Sequence, residues 1–304
     1  MRRSAPPARY RTMRTGRIRV GISGWRYAPW RGKFYPEGLR QKDELAYASS
    51  GFQTIEINGT FYSLQRPTSF RAWREATPDG FVFAVKGPRF ITHIRRLAAV
   101  EAPLANFFAS GVLALEDKLG PILWQLPPSF RFDAERLAAF FALLPRTTAE
   151  AARLAKRHDG NLKVRAWLKA DVDRPLRHAL EIRHDSFRDE AFIRLLRRHR
   201  IGLVVADTVE WPLLLDATAD FVYVRLHGSR KLYTSGYSAG AIDVWARRIM
   251  AWSRGEEAEG EHAGPPAPRR GRDVYVYFDN DAKVRAPFDA AALIARIGRD
   301  MTSM

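Results

Sequence analysis

Eight short runs of apolar and β-branched residues recur along the chain, and most are followed by a segment with helical spacing. The runs lie at residues 18–25, 54–62, 81–88, 120–128, 178–187, 202–209, 221–229 and 273–281. Strands that alternate with helices favour a parallel sheet with helical crossovers. Eight such units predict a single-domain α/β protein, a TIM-type (β/α)8 barrel. An open doubly wound sheet is the alternative.

The segments between the runs have the signals of amphipathic helices. In DAERLAAFFALLP, Asp133 is a candidate N-cap and Pro145 a stop. The spacing becomes irregular in the later units, because about a dozen residues separate the sixth and seventh runs and more than forty separate the seventh and eighth. Much of the longer gap, 253–273, is rich in charge, Gly and Pro, which predicts a flexible surface loop.

The length of 304 residues suits one such barrel, which commonly uses about 250 residues. With 46% hydrophobic residues, a large core is expected. We predict a disordered basic arm at 1–17, a barrel at 18–297 and a C-terminal tail at 298–304. The arm holds six arginines and no acidic residue, so it supplies +6 of the net charge of +17.

Several protein classes are excluded by the sequence. No window approaches the ~20 apolar residues of a membrane span, and the N-terminus has no apolar stretch typical of a signal peptide, so we expect a cytoplasmic protein with no membrane partner. The chain has no cysteine, which excludes disulfides and thiolate chemistry. It also contains no P-loop, H-E-x-x-H or G-x-S-x-G motif.

The predicted strands become polar towards their C-terminal ends. Run 221–229 places Tyr223, Arg225 and His227 on one face, opposite three apolar residues. Run 178–187 repeats this pattern with Glu181 and Arg183. In a parallel barrel the inward residues at that end of the strands surround the mouth, where active sites are built. The polar residues are therefore candidates for a site.

By this criterion, we predict the catalytic residues to be Glu56, Lys86, Glu181, Asp207 and His227. Substrate-binding residues are predicted from strand ends and the loops that follow them: Trp25, Asn58, Tyr62, Gln125, Arg183, His184, Arg225, Tyr237 and Asn280. Because burying an unpaired charge costs several kcal/mol, we expect the carboxylates Glu56, Glu181 and Asp207 to face cations across the mouth. Clustered ionisable groups of this kind suit acid/base chemistry.

Six sequence blocks together resemble the YecE-like family, also called domain of unknown function 72. The blocks are VGISGWRYAPWRGKFYPEGL at 20–39, the segment 52–93, LGPILWQLPPSF at 119–130, HALEIRHDSF at 178–187, ADFVYVRLHGS at 219–229 and VYVYFDNDAKVRAP at 274–287. The resemblance extends over residues 18–297. The last block departs from the family pattern, with Val284 where a smaller residue is expected.

The resemblance implies a TIM-barrel-like fold, related in outline to metal-dependent sugar isomerases and apurinic endonucleases. It adds His93 to the substrate-binding candidates and otherwise coincides with the strand-end residues. The family pattern supplies no established reaction, substrate or catalytic residue, so the chemistry has to be argued from the residues themselves.

Two functions compete. The first is an enzyme, of hydrolase or isomerase type, that performs acid/base chemistry on a small polar anion bearing a phosphate or carboxylate. In it, Glu181 or Glu56 would transfer the proton, and Lys86 and His227 would stabilise negative charge. Arginines 183 and 225 would hold the anion by bidentate contacts.

The second function is nucleic-acid binding or phosphodiester cleavage by the basic surface. It is supported by the arm and by the arginine-rich helix predicted at 189–200. Metal-assisted chemistry is a variant of either function, since Glu181, Asp207 and His227 end three consecutive strands and form an O/O/N ligand set for a divalent cation. The neighbouring arginines argue against this metal site, and we predict no other cofactor.

Overall fold

The computed structural model describes residues 14–228 and 235–302. Its eight strands form a closed barrel in which all neighbours are parallel and follow sequence order. They are β1 (Ile18–Ser23), β2 (Thr54–Ile57), β3 (Val82–Lys86), β4 (Leu119–Gln125), β5 (His178–Glu181), β6 (Gly202–Asp207), β7 (Phe221–Leu226) and β8 (Asp273–Phe278). The predicted (β/α)8 barrel is confirmed, and the open sheet is wrong.

The described α-helices surround the barrel. They are α1 (Glu44–Gly51), α2 (Gly59–Tyr62), α3 (Pro67–Glu75), α4 (Glu101–Ala109), α5 (Ala134–Leu143), α6 (Thr148–Ala155), α7 (Glu190–His199), α8 (Ala239–Arg254) and α9 (Ala286–Thr302). The predicted N-cap Asp133 accepts a hydrogen bond from Arg136 N at 3.0 Å. In the described part of the chain, no helix combines the length and apolar character that crossing a membrane requires.

Shorter helical turns complete the connections. Residues Ala28–Trp30, Gln41–Asp43, Val112–Lys118, Asp185–Phe187 and Asp281–Lys283 form 3-10 helices, and Phe90–Ile94 forms a π-helix. The second predicted run is only half strand, since 59–62 is the short helix α2. At the C-terminal end, α9 continues to Thr302, so residues 298–302 extend the last helix and do not form a separate tail.

The predicted arm is attached to the barrel in its last residues. Residues 1–13 lie outside the described part of the chain. Gly16 N donates to Ser253 O at 2.8 Å, and Arg17 N donates to the Asp273 carboxylate at 2.9 Å. Residues 14–17 therefore lead directly into β1 and belong with the barrel.

Strand alternation separates two apolar layers. Outward residues such as Ile22, Ile55 and Phe83 belong to the large cluster between the strands and the helices. Inward residues such as Tyr223 and Tyr277 belong to a smaller cluster inside the barrel. Because successive side chains point to opposite faces, each strand places every second residue on the central axis.

The connection between β6 and β7 contains no helix, since residues 208–220 are irregular. The long segment 255–272 packs against this connection. Leu215 N donates to Glu261 O at 2.8 Å, and the Arg197 guanidinium of α7 donates to Pro265 O at 2.7 Å. The segment predicted as a free surface loop is irregular, but it is hydrogen-bonded to the barrel and covers a unit that lacks its helix.

Replacing Asp216 tests this attachment. Its buried carboxylate accepts hydrogen bonds from Ala263 N at 2.9 Å and Gly264 N at 3.0 Å. We expect Asp216→Ala to lower the free energy of unfolding by about 2–4 kcal/mol, because two backbone donors lose a charged acceptor. Urea denaturation measures the loss, and limited proteolysis should cut within 255–272 earlier than in the wild type.

Asp220→Ala is the matched control. Asp220 pairs with Arg177 at 2.9 Å, but its side chain is 56% exposed, so we expect a loss below about 1 kcal/mol. Equal losses in the two variants would contradict a structural role for the segment.

Candidate active site

Inward residues at the C-terminal ends of seven strands meet in one polar cluster. Its members are Ser23, Glu56, Lys86, Gln125, Glu181, Arg225 and Asp279. All but Asp279 end, or nearly end, a strand on its inner face, and Asp279 follows β8 directly. The apolar interior of the barrel thus gives way to charge at its mouth.

Arg225 is the centre of this cluster, and only 1% of its surface is exposed. Its guanidinium donates to Glu181 Oε2 at 2.7 Å, Asp279 Oδ2 at 2.8 Å and Glu56 Oε1 at 2.9 Å. A further contact joins it to Ser23 Oγ at 3.2 Å. Burial alone would lower the pKa of Arg225, but the three carboxylates raise it well above its ordinary value. Arg225 is therefore permanently charged, and both of its Nη atoms already donate to protein acceptors, which argues against the predicted bidentate contact with a substrate anion.

Glu181 lies between two guanidinium groups. Arg183 donates to its Oε1 at 2.7 Å, while Arg225 occupies Oε2. Burial tends to raise the pKa of Glu181, but the charges of Arg183 and Arg225 outweigh it and hold the pKa well below its usual range. A carboxylate with so low a pKa is a weak base. The structure therefore favours an electrostatic role for Glu181 over proton transfer.

Glu56 is equally enclosed. Tyr223 Oη donates to its Oε2 at 2.5 Å, and Ser23 Oγ donates to its Oε1. Asn58 Nδ2 donates in turn to Ser23 Oγ at 3.1 Å. Below this layer the ring of Tyr277 contacts that of Tyr223, with centroids 4.9 Å apart. The tyrosines thus form a floor that fixes the carboxylate.

Asp279 was not among the predicted site residues, although it joins the cluster directly. Its Oδ2 lies 3.0 Å from His227 Nδ1 as well as 2.8 Å from Arg225. Burial would raise the pKa of Asp279, but Arg225 and the His227 hydrogen bond keep it lowered. Alternation could have found this residue, because Tyr275, Tyr277 and Asp279 continue one face of the strand.

Lys86 differs from the other charges of the cluster. The residue is 8% exposed, and its Nζ lies 4.3 Å from the centroid of the Phe61 ring. Within the described residues, Nζ makes no hydrogen bond or ion pair. Burial, reinforced by the charge of Arg225, lowers the pKa of Lys86 to about 8, although the nearby carboxylates oppose the shift. Lys86 is therefore a partly desolvated amine that titrates near neutral pH.

His93 lies near Lys86 and Arg183. The His93 ring meets Phe61 edge-on at 5.1 Å, and its Nδ1 lies 2.9 Å from Thr92 Oγ1. Burial, followed by the charges of Arg183 and Lys86, lowers the pKa of His93 to about 4. His93 is thus a neutral imidazole at neutral pH, and its role in substrate binding stays a prediction.

Trp211, which was not among the predicted site residues, lies against Arg183 and His227. Its ring lies 3.7 Å from the Arg183 guanidinium and 5.7 Å from the His227 ring. It belongs to the irregular connection between β6 and β7, where no periodicity signals a site.

Gln125 is 5% exposed at the end of β4, and its Oε1 has no hydrogen-bond donor among the described residues.

Asp207 does not belong to this cluster. Alternation in β6 places Val204 inside the barrel, so Asp207 points outward. There its Oδ2 accepts a hydrogen bond from Trp245 Nε1 of α8 at 3.0 Å. The prediction of a catalytic Asp207 is therefore not supported, because the polar residue at this strand end lies on the helical face.

Five of the predicted substrate-binding residues lie apart from the cluster. Trp25 packs edge-on against Trp73 in the outer layer, and Tyr62 is 72% exposed. His184 caps the short helix at 185–187 by accepting from Ser186 N. The other two serve the loops behind the mouth: Tyr237 Oη accepts from Gly228 N at 3.1 Å, and Asn280 Nδ2 donates to Asp289 at 2.7 Å.

The residues of the mouth fit a metal poorly. Of the proposed ligands, Asp207 points away and both oxygens of Glu181 accept from arginine. Across residues 14–228 and 235–302, no group of three or more His, Asp or Glu side chains is arranged to hold a metal ion. The O/O/N set predicted from the strand ends is therefore not assembled.

A further carboxyl group with a shifted pKa lies next to the cluster. Burial, followed by the charge of Asp279, raises the pKa of Asp281 to about 6. Asp281 begins the short helix after β8 and lies near Tyr27, whose Oη donates to Ser23 O at 2.6 Å. The carboxyl group of Asp281 and the amine of Lys86, with pKa values of about 6 and 8, both titrate near neutral pH.

Removing Glu181 should destabilise the fold. Glu181→Ala leaves Arg183 without its carboxylate partner and removes one of the three carboxylates that hold Arg225, and we expect the free energy of unfolding to fall by about 3–5 kcal/mol. The control is Glu190→Ala, which breaks an exposed pair with Arg194 and should cost less than about 1 kcal/mol. Chemical denaturation compares the two, and similar losses would show that the buried network is not needed for stability.

Comparisons with known proteins agree with this fold. A family model described as "Protein of unknown function DUF72" matches residues 19–304. A DUF72 family protein from Thermotoga maritima has a crystal structure with a TM-score of 0.70 and 25% sequence identity, covering 95% of this chain and 100% of that one. Another, from Enterococcus faecalis, has a TM-score of 0.66 at 18% identity over 92% of this chain and 95% of that one, and shows likeness of fold alone.

Sequence relatives match over a shorter length. The UPF0759 protein YecE of Escherichia coli K12 is 30% identical over 113 residues, which cover 37% of this chain and 39% of that protein. The UPF0759 protein YunF of Bacillus subtilis is 29% identical over 126 residues, 40% of this chain and 44% of that protein. The matched region thus spans about two fifths of the length of these curated relatives. Since the family model extends over nearly the whole barrel, the chain belongs to the DUF72 family.

Proposed function

We propose that this protein is an enzyme that binds a small anion at the barrel mouth and transfers protons through Lys86. The observation that supports this most strongly is the Lys86 amine, which is nearly buried and has no hydrogen-bond partner within the described residues. A buried ammonium without an acceptor costs free energy. A phosphate or carboxylate oxygen of a substrate would supply that acceptor.

The neighbouring charges define what Lys86 can do. Glu56, Glu181 and Asp279 are fixed by Arg225, and the lowered pKa values of Glu181 and Asp279 keep these two carboxylates negative beside the amine. General acid/base groups work best when their pKa lies near the operating pH. Lys86, with a pKa of about 8, meets this condition better than Glu181, whose pKa is lowered by two arginines. Asp281 is a second proton carrier, with a pKa of about 6.

Solvent reaches the cluster at a few side chains. Asp279 is 13% exposed and Arg183 is 10% exposed, next to Lys86. Arg183 donates to Glu181 through Nε and Nη2, and its other face lies against Trp211. A substrate entering here would contact Lys86, Arg183 and Asp279 before any deeper residue.

Anion binding at Lys86 can be tested without knowing the substrate. We expect inorganic phosphate, a dicarboxylate or a sugar phosphate to raise the Tm of the wild type but not that of Lys86→Met. An anion stabilises the protonated amine, so the shift should be larger below pH 8 and fall as Lys86 loses its proton above it. Thermal unfolding of metal-free protein at pH 6.5 and pH 9 measures this.

The control for charge is Lys42→Met, because Lys42 is an exposed lysine in the short helix at 41–43. It should respond to each anion as the wild type does. If every anion that stabilises the wild type also stabilises Lys86→Met equally, the proposed role of Lys86 is wrong.

The burial of Lys86 should also lower the free energy of unfolding at neutral pH. Its folded pKa is lower than its unfolded pKa, so the unfolded chain binds the extra proton between about pH 8 and pH 10.5. Stability is therefore lost as the pH falls through this range and stays low below it. We expect Lys86→Met to be more stable than the wild type at pH 7 by up to about 3 kcal/mol.

The difference between Lys86→Met and the wild type should shrink as the pH rises from 8 to 10. Urea denaturation across this range measures it, and titration of other groups cancels because both proteins share them. A variant that is less stable than the wild type at pH 7 would show that Lys86 is a structural residue.

A further inference from the structure

A basic groove lies on the outer layer of the barrel, and it shares no lining residue with the mouth cluster. It has a volume of about 920 Å³, and the start of α3 and the irregular segment 163–169 form its walls. Its lining includes five cations and no acidic residue: Arg66, Arg71, Lys163, Arg165 and Lys169. The groove therefore concentrates positive charge in a concave surface.

These cations are not neutralised by the protein. All five residues are exposed, and none makes an ion pair with another side chain in the described ranges. Elsewhere on the surface, arginines such as Arg74 and Arg188 pair with neighbouring carboxylates. Mutual repulsion of five like charges costs free energy, which an anionic partner would remove.

Trp167 belongs to the wall formed by residues 163–169, and its ring lies near Arg71 of the opposite wall. The Arg71 guanidinium lies 5.9 Å and the Lys169 amine 5.2 Å from the centroid of its ring. Trp167 N donates to Ala109 O at 2.8 Å, which ties the irregular segment to the end of α4. The ring therefore lies beside two of the five cations, in a segment that the backbone contact attaches to α4.

We propose that this groove binds single-stranded nucleic acid. A single phosphate needs two or three cations, whereas five along one groove match several phosphates of a chain. Proteins that hold single strands combine a basic groove with aromatic rings on which bases stack. A duplex keeps its bases stacked inside, out of reach of Trp167. The chemistry is shared by DNA and RNA, so the groove does not select between them.

The experiment measures binding of two fluorescent probes, a 12-nucleotide oligo-dT and a 12-nucleotide oligo-rU, to the full chain between 50 and 300 mM salt. The test variant is Arg165→Gln with Lys169→Gln. It should bind at least one of the two probes more weakly than the wild type does. Its plot of log Kobs against log salt should be shallower by about 1.4, because two phosphate contacts are lost at about 0.7 each.

The matched control is Arg194→Gln with Arg198→Gln, which removes the same charge from the exposed face of α7. It should retain the affinity and salt slope of the wild type. Circular dichroism and thermal unfolding check that both double variants fold, as expected for exposed side chains.

Three results would overturn the proposal. The first is the absence of salt-dependent binding of both probes by the wild type. The second is an equal loss in both double variants, which would mean that net charge alone attracts the strand. The third is a 12-base-pair duplex, or inorganic polyphosphate of equal charge, that binds as tightly as the single strands. The last would leave a general polyanion surface in which Trp167 has no role.

Discussion

The mouth of this barrel depends on one buried cation. Arg225 connects β7 to Glu56 on β2, Glu181 on β5 and Asp279 after β8. Removing a guanidinium and three carboxylates from water costs several kcal/mol per ion, and the attraction between them returns this only if every hydrogen bond is well made. The network therefore does more to fix positions than to add stability. It holds four strand ends in one arrangement.

In that arrangement, carboxylates that are held by neighbouring side chains surround a lysine that is not. Tyr223 donates to Glu56 and Arg183 donates to Glu181, and His227 Nδ1 lies 3.0 Å from Asp279 Oδ2. Lys86 faces these charges without a partner of its own in the described part of the chain. The burial that costs stability at Lys86 also brings its pKa towards neutrality. Loss of stability and chemical reactivity thus have the same physical origin.

Much of this could be predicted from strand alternation. A period of two places Glu56, Lys86, Glu181 and Arg225 on inner faces, and these residues do meet. The prediction of Asp207 failed because position at a strand end was counted without following the inner face, which in β6 is apolar. The same oversight selected Asn280 and left out Asp279. Val284 adopts a left-handed backbone with φ of 58°, a conformation that fits the smaller residue expected there from the family resemblance.

Other features arise only from tertiary packing. Neither Trp211 nor the segment 255–272 has a periodic pattern, because irregular chain takes its conformation from what it covers. The sequence did show that the connection between β6 and β7 is short and that the connection between β7 and β8 is long. What it could not show is that the second compensates for the first through Leu215, Asp216 and Arg197.

The net charge of +17 says little about the mouth. There, Arg183, Arg225 and protonated Lys86 face three carboxylates, so the cluster is close to neutral. The excess positive charge must therefore lie outside it, and the outer groove alone contributes five unpaired cations. An anion would be drawn to the mouth by the unsatisfied donor of Lys86, whereas a polyanion would be drawn to the groove by its field. The two sites would thus respond differently to salt, since a field between exposed charges is screened within about 8–10 Å, while a buried contact is screened much less.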